Sequence, residues 1–427
     1  MEAVLFVVLF VLIYVAILKR PFKIHEGTIA FVGAILVLLF GFVSPEGAVR
    51  AIVGGQSHPW QIIVFFITFA IISTTLEDLG FFKWCAIHTT NYAKHNGLKL
   101  FNYLFVMFSV ITFLTANDIV ILTLTPFVLH LGLHHNKHPK AYLFMLFFVA
   151  NTGSVGHLLG NLTNIIVAQS FGISFLEFFK YMFIPMIVAL VVEYIILRIY
   201  FRKELNQTFV VDSSIKPHHA IENKGKLYLV LGILGLIILL ALLEPVIGIP
   251  LWQLTTVGAI LTVLLGRFNL FHRIIRVPWQ VILFVTSLFV IIAGFDKTGI
   301  SAHLVDYISS LAQKPLFFVT FFCSFVASVV AAILNNIPGT ILMSNLLSSS
   351  SFVGLSQKSA IYSVIIGSNL GANFTIIGAL AGLMWIHLIR EKNYHITALE
   401  FSKVGLIVMI PTVFFVAVAL FIELRLF

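Results

Sequence analysis

Charge is what this sequence has least of. Asp, Glu, Lys and Arg make up only 10% of its 427 residues, against about 25% in a soluble domain. A soluble single-domain enzyme is excluded on that ground alone. Cysteine is nearly absent as well: Cys85 and Cys323 lie far apart, one in an interfacial stretch and one in an apolar run. Such spacing offers neither a disulfide framework nor a metal cage, so both are expected as unpaired packing residues. The chain also lacks H-E-x-x-H and any pair of aspartates inside an apolar run, which argues against a membrane enzyme, a metal centre or a bound cofactor. Long polar stretches are missing but for one, 202–225, RKELNQTFVVDSSIKPHHAIENKG. No cleavable leader is expected. The apolar run Met1 to Leu18 is followed, not preceded, by Lys19, Arg20 and Lys23, so it reads as a first membrane helix. His134, His135, His138, His218 and His219 fall in loops without ligand spacing and are expected to be solvated.

What is present is apolar length. Hydrophobic residues are 60% of the chain and the mean hydropathy is +1.06. This predicts an all-α polytopic protein whose first partner is the lipid bilayer. Spans are expected near 2–18, 27–44, 59–76, 141–172 (interrupted), 176–200, 226–243, 247–266, 277–295, 358–388 (interrupted) and 402–424. Residues 81–95 and 298–313 are less apolar and predict amphipathic interfacial helices. Two further apolar stretches, 98–133 and 315–350, are each broken by polar residues. They predict re-entrant hairpins whose tips meet at mid-membrane.

The two halves of the chain match. Pro59-Trp60-Gln61 recurs as Pro278-Trp279-Gln280, a shift of 219, and Asn117 recurs as Asn336 at the same shift. Asn151-Thr152-Gly153 answers Asn369-Leu370-Gly371, and Gly160 answers Gly378, at a shift of 218. Internal repeats with interrupted helices are the signature of secondary transporters. The division expected is 1–201 as the first membrane repeat, 202–225 as a cytoplasmic linker and 226–427 as the second repeat. Five spans per repeat would turn the second upside down. The positive-inside rule tests this. With both termini outside, the loops left in the cytoplasm hold 20 of the 26 basic residues. The net charge of +9 therefore reports topology, not a nucleic-acid partner. A chain of twelve or more spans with the same flanks satisfies the same count.

Four polar interruptions carry the chemistry. The first tip holds Asn117 and Asp118, and the second holds Asn335, Asn336 and Thr340. The first broken helix, ANTGSVGHLLGNLTN, supplies Asn151, Thr152, Ser154, His157 and Asn161. The second, GSNLGANFT, supplies Asn369, Asn373 and Thr375. Irregular backbone at membrane depth is tolerated only where protein or a cavity surrounds it. Amide and hydroxyl groups there suit a small polar solute. Each tip is expected to pack on its own half's broken helix, making two related half-sites. Asp118 has Ile337 as its repeat partner. A lone mid-membrane carboxylate suits a proton carrier, since loss of water disfavours its ionised form. His157 is the second candidate for coupling. The glycosylation sequon at Asn161-Leu162-Thr163 lies too deep to be used.

At TANDIVILTLTP, GNLTNIIVAQSFGISFLEFFKYM, NNIPGTILMSNLL and GSNLGANFTIIGALAGLMWIHLIREKN the chain resembles the ArsB arsenite and antimonite permeases. These lie within the ion transporter superfamily of Na+/H+ antiporters and dicarboxylate, citrate and sulfate carriers. The resemblance covers nearly the whole chain. It implies an inverted-repeat fold in the cell's inner (plasma) membrane, often a homodimer, moving its substrate by an elevator-like motion. It also implies efflux of arsenite or antimonite in exchange for protons, alone or with a soluble ATPase subunit. The chain departs from that branch by amides at Asn151 and Asn369, where acidic residues are usual, and by Asn373 and Ile376 where lysine and proline are usual. With two cysteines in all, arsenic(III) would be recognised as neutral As(OH)3 through hydrogen bonds, not held by three thiolates. The rival reading is a carrier of another ion: sodium against protons, or an inorganic or carboxylate anion. A channel suits interrupted helices in repeats less well than a carrier does.

Overall fold

The computed structural model describes residues 2–21, 24–54, 58–93, 96–133, 139–206 and 217–426. Among these the structure is helical throughout, with no β-strand. The first half runs α1 (Glu2–Lys19), α2 (Glu26–Leu39), α3 (Pro45–Val53), α4 (Pro59–Asp78), α5 (Phe81–Tyr92), α6 (Gly97–Leu114), α7 (Asn117–Leu133), α8 (Lys140–Gly153), α9 (Leu162–Phe171) and α10 (Phe175–Tyr200). After α11 (Arg202–Leu205) come α12 (Lys224–Leu242), α13 (Glu244–Ile247), α14 (Leu251–Leu265), α15 (Leu270–Arg276), α16 (Trp279–Lys297), α17 (Ile300–Ser310), α18 (Leu316–Leu334), α19 (Asn336–Ser348), α20 (Gly354–Gly371), α21 (Leu380–Glu391) and α22 (Ala398–Leu426). The helix order of 59–171 thus recurs over 279–391, and both interrupted helices break into a 3₁₀ turn at the matching place, Leu158–Gly160 and Ile376–Gly378.

Among the described residues seven helices are long and apolar enough to cross a bilayer: α1, α4, α6, α10, α12, α18 and α22. The bent pair α15–α16, with a 56° kink, makes an eighth. Two expected spans come out short. α2 has 14 residues and α14 has 15, roughly 21–23 Å against a hydrocarbon core of about 30 Å. Gly41 stops the first in the left-handed region at φ +73°, and a turn through Arg267 at φ +49° stops the second. Sequence reading ran both helices on through these turns because the residues around them stay apolar. Conversely α6 and α18, expected as first arms of hairpins, are each long enough to cross on their own. α3 and α15 are short helices the hydropathy pattern does not signal.

The halves interleave. α2 packs on α16 and α14 on α4; α7 packs on α21 and α19 on α9; α10 packs on α22. Each contact has its repeat-related twin. The outer faces of α1, α12 and α22 are strongly apolar and exposed, with Val4, Leu5, Leu239 and Ile407 among them, as lipid-facing surfaces must be. The end of the central linker is pinned from below. The Ala220 carbonyl lies 1.7 Å from where a Cβ on Gly80 would be, and Gly80 is itself at φ +82°. The Glu222 amide donates to the Leu79 carbonyl at 3.3 Å. Residues 207–216 of the linker, and His134, His135 and His138, lie outside the described residues.

Candidate functional site

The breaks are built from local chemistry. α6 ends where Thr115 turns extended, its hydroxyl satisfied by the Ile111 carbonyl at 2.8 Å. Asn161 caps α9, its side chain accepting from the Thr163 amide at 3.3 Å. Asn335 caps α19 the same way, accepting from the Ile337 amide at 3.3 Å. Asn335 does so at φ +67°, a conformation costing about 1–3 kcal/mol for a residue with a side chain. Its amide donates to the Ile377 carbonyl at 3.1 Å, which ties the second tip to the second 3₁₀ turn. At Gly160 that fold-back is so close that a Cβ would stand 2.5 Å from the Ser154 carbonyl. At Gly371 a Cβ would meet the Ser328 carbonyl at 2.4 Å, so α20 lies backbone to backbone on α18.

An asparagine network joins these breaks across the halves. Asn117 donates to the Asn151 side-chain carbonyl at 2.9 Å, and Asn151 donates to that of Asn373 at 2.9 Å. The Asn373 amide reaches the Phe148 carbonyl at 3.3 Å and lies 3.5 Å from the Thr152 hydroxyl. On the other side Asn369 accepts from Asn161 at 2.8 Å and from Ser154 at 3.2 Å, and donates to Asn164 at 2.7 Å. Asn164 in turn donates to the carbonyls of Ser154 and His157 at 2.7 and 2.9 Å. These side chains are all buried. Buried amides in an apolar protein must find partners; here they find one another. Each tip packs on its own half's broken helix, through Asn117 to Asn151 and Asn335 to Ile377, and the bonds from Asn151 to Asn373 and Asn161 to Asn369 join the two halves at the centre.

Not every singled-out residue joins it. Asn336 is buried, and among the described residues its side chain has no hydrogen-bond partner; its backbone carbonyl accepts from the Thr340 hydroxyl at 2.6 Å. Thr375 donates to Ala332 at 2.6 Å within its own half. His157 packs edge-on against Phe113, ring centroids 4.5 Å apart, and its Nδ1 accepts from the Leu159 amide at 3.1 Å. Its ring therefore fixes the 3₁₀ turn and stays out of the network.

Asn117 and Asp118 point different ways. Asp118 lines a cavity of about 180 Å³ with Glu77, Thr123, Arg276 and apolar side chains of α4, α16 and α21. A second cavity of about 740 Å³ shares Leu122, Pro278, Val281, Leu380 and Met384 with it, and ends at Arg20, His25, Glu26 and His387. Arg20 and Glu26 form an ion pair. Asp118 therefore looks toward a passage that runs to the protein surface. A charged cluster borders the first cavity, which Glu77 and Arg276 line. Thr123 donates to Glu77 at 2.9 Å, and Arg276 pairs with Asp78 at 2.6 Å and Glu77 at 3.4 Å. Arg273, nearly buried beneath it, donates to Asp78 at 2.5 Å. Sequence reading passed over this cluster. The signal was there: Glu77-Asp78 closing an apolar helix, and Arg273 and Arg276 in a short basic segment before the next one.

These features define a class: a multi-pass membrane protein in which broken helices meet at a buried polar centre reached by a passage. The sequence profile of the arsenical pump membrane protein family, ArsB, matches residues 5–424. The chain is 30% identical to the arsenical pump membrane protein of Escherichia coli over 97% of its own length and 98% of the relative's. It is 28% identical to that of Yersinia enterocolitica, over 97% and 98%, and 26% identical to a putative arsenical pump membrane protein of Bacillus subtilis, over 94% and 95%. The chain belongs to the arsenical pump membrane protein family, and is a multi-pass transporter of the plasma membrane.

Proposed function

We propose that this protein exports arsenite or antimonite in exchange for protons, by alternating access to the centre where the two halves cross. One observation carries the reading. A network of amides and hydroxyls bridges both halves, and beside it stands a carboxylate, Asp118, that faces a passage. In the closed state the amides satisfy each other. A solute presenting several hydroxyl groups, as As(OH)3 does, can take over those bonds one for one, so little hydrogen bonding is lost on binding. An ion stripped of water would have to be matched by charge, and the amides of the network bring none. The names of the relatives point to the same substrate class.

Asp118 is the carrier of the exchanged proton in this reading. The passage opens on the face that bears Arg20, Arg273, Arg276 and His387. Loop charge assigns that face to the cytoplasm, so this conformation is inward-facing. The second repeat is inverted relative to the first, the tips are re-entrant, and the central linker is cytoplasmic. Homodimer formation and a soluble ATPase subunit are part of the same family-based expectation. Lys203→Cys in intact cells should resist an impermeant thiol reagent and label only after permeabilisation; external labelling would overturn the topology.

The deciding experiment is substrate-dependent proton flux in proteoliposomes holding the purified protein. Arsenite, antimonite, sodium and small carboxylates are offered in turn. Proton movement with arsenite or antimonite is expected. Movement with sodium or a carboxylate alone would replace the substrate and keep the carrier.

A further inference from the structure

Glu193 is a charge-bearing side chain that neither the tips nor the breaks explain. It lies in α10, seven residues before the end of the helix at Tyr200, about 10 Å along the axis. Its side chain is fully enclosed, and neither carboxylate oxygen has a hydrogen-bond partner. The polar group beside it is the Thr152 hydroxyl, which is not aligned for a well-formed bond. Thr152 is next in sequence to Asn151 and lies 3.5 Å from the Asn373 amide. Thr152, Asn373, Asn151 and Asn117 therefore lead from Glu193 to the first tip.

Among the described residues no cation is paired with Glu193. Among the described groups on elements that pack against α10, Lys140 pairs with Glu400 and Lys358 with Glu177. Glu423 lies toward Lys180, and Arg198 is bonded to Tyr194. Lys226 sits over Phe268 and Arg425 over Phe421. Glu244 accepts from the Phe175 amide, and His157 from Leu159. An ionised carboxylate so enclosed is very costly, whereas a protonated one is not. The pair also occurs once. Pro185 of α10 answers Pro411 of α22, and at that register Glu193 corresponds to Ala419; Thr152 corresponds to Leu370. α22 has a buried acid of its own, Glu423, but it stands four residues off that register and lies toward Lys180, whereas Glu193 with Thr152 has no such counterpart.

We propose that Glu193 is a second proton-binding residue of the transport cycle, coupled to the solute through Thr152. The inference rests on the proton-exchange reading above. While the asparagine network is closed, Glu193 holds its proton. Solute binding takes over the bonds of Asn373 and Asn151, so the Thr152 oxygen no longer accepts from Asn373 and its hydroxyl turns to donate to the carboxyl. The Glu193 O–H bond then breaks, its electron pair stays on the carboxylate oxygen, and the proton passes to water admitted as the break opens.

The test uses the full-length protein in weakly buffered detergent with a pH-indicating dye, arsenite as the probe, and a thermal melt to check folding. Wild type should release protons on arsenite addition. Glu193→Gln should bind arsenite within about twofold of wild type while its proton yield falls by roughly half, Asp118 supplying the rest. Thr152→Val should keep the yield and move its midpoint to higher pH, because the ionised form loses its donor. Wild-type proton yield from Glu193→Gln at every pH would overturn the inference. Should Glu193→Gln not fold, Glu193→Asp keeps the proton but moves the carboxyl away from Thr152, and an unchanged pH midpoint in that variant would overturn it equally. Absence of arsenite-linked proton release in wild type would instead sink the proton-exchange reading itself, and Glu193's role with it.

Discussion

The two tips occupy matching places in the repeat and do opposite things. At the first, Asp118 looks into a cavity continuous with the surface. At the second, Asn335 and Asn336 are buried. The cavity that answers it by repeat register is about 150 Å³, lined by Arg50, Pro59, Ile166 and Asn345, and does not extend to either residue. Similar backbones thus set a cavity against the tip residue in one half and away from it in the other. A repeat with exact internal symmetry would be equally open or closed on both sides. The difference teaches that the conformational asymmetry a carrier needs can be set by a few side chains on a common frame.

The sharpest way to break the comparison is to remove the acid from the open tip. Asp118→Asn keeps size and hydrogen bonding. In proteoliposomes it should sharply lower arsenite accumulation driven by a pH gradient, only the Glu193 proton remaining, while arsenite exchange survives. Ile337→Asp in the second tip, away from the answering cavity, should not restore the loss in the double variant. Wild-type uphill transport by Asp118→Asn would return both tips to equivalence.

The next effect tests what joins the tips. Asn369→Leu strands the Asn161 amide and the Asn164 side-chain carbonyl, while Ser154 keeps the Asn151 carbonyl at 2.7 Å, at about 1–3 kcal/mol for each group left unpaired. Its melting temperature in detergent should fall far more than that of Asn336→Leu, whose amide makes no hydrogen bond among the described residues. Equal losses would mean that the network does not hold the centre together.

A smaller effect is expected at the charged cluster. Arg273→Gln loosens a nearly buried cation on Asp78, which Arg276 still neutralises, so about 1–2 kcal/mol is expected. Arg276→Gln, at the exposed end, should cost below about 1 kcal/mol. The arsenite concentration for half-maximal transport should shift more for Arg273 than for Arg276, and the reverse order would mean that the buried end of the cluster does not shape the passage. Smallest of all is Asn335→Gly. Glycine accepts the φ of that position freely but loses two hydrogen bonds, so the melt should move by no more than about 1 kcal/mol, whereas Asn335→Val should cost several times that.

Much of this was legible beforehand. The breaks at 151–161 and 369–378 announced themselves because Gly and Asn clusters cannot continue a lipid-facing helix, and the repeat shift located their partners. Three features were not. That Asn151 bonds to Asn373, not only to its own tip, depends on how the halves cross, which local sequence does not encode. The short α2 and α14 were hidden because apolar residues run on through the turns that stop them. Glu193 was plainly visible in VVEYII; it was passed over because a single acid in a strong span looks like tolerance, and only its burial without a partner shows otherwise.

The interleaving of α2 with α16, α4 with α14 and α7 with α21 also sets a timetable. During synthesis the first half enters the membrane before any of these partners exists. Asn151 and Asn161 must wait for α20 and the Asn373 turn behind it, meeting lipid, water defects or the insertion machinery in the interval. The centre is therefore finished last, when the ribosome has nearly completed the chain. A truncation as late as residue 365 would leave the first half threaded through the bilayer, yet with its polar core unassembled.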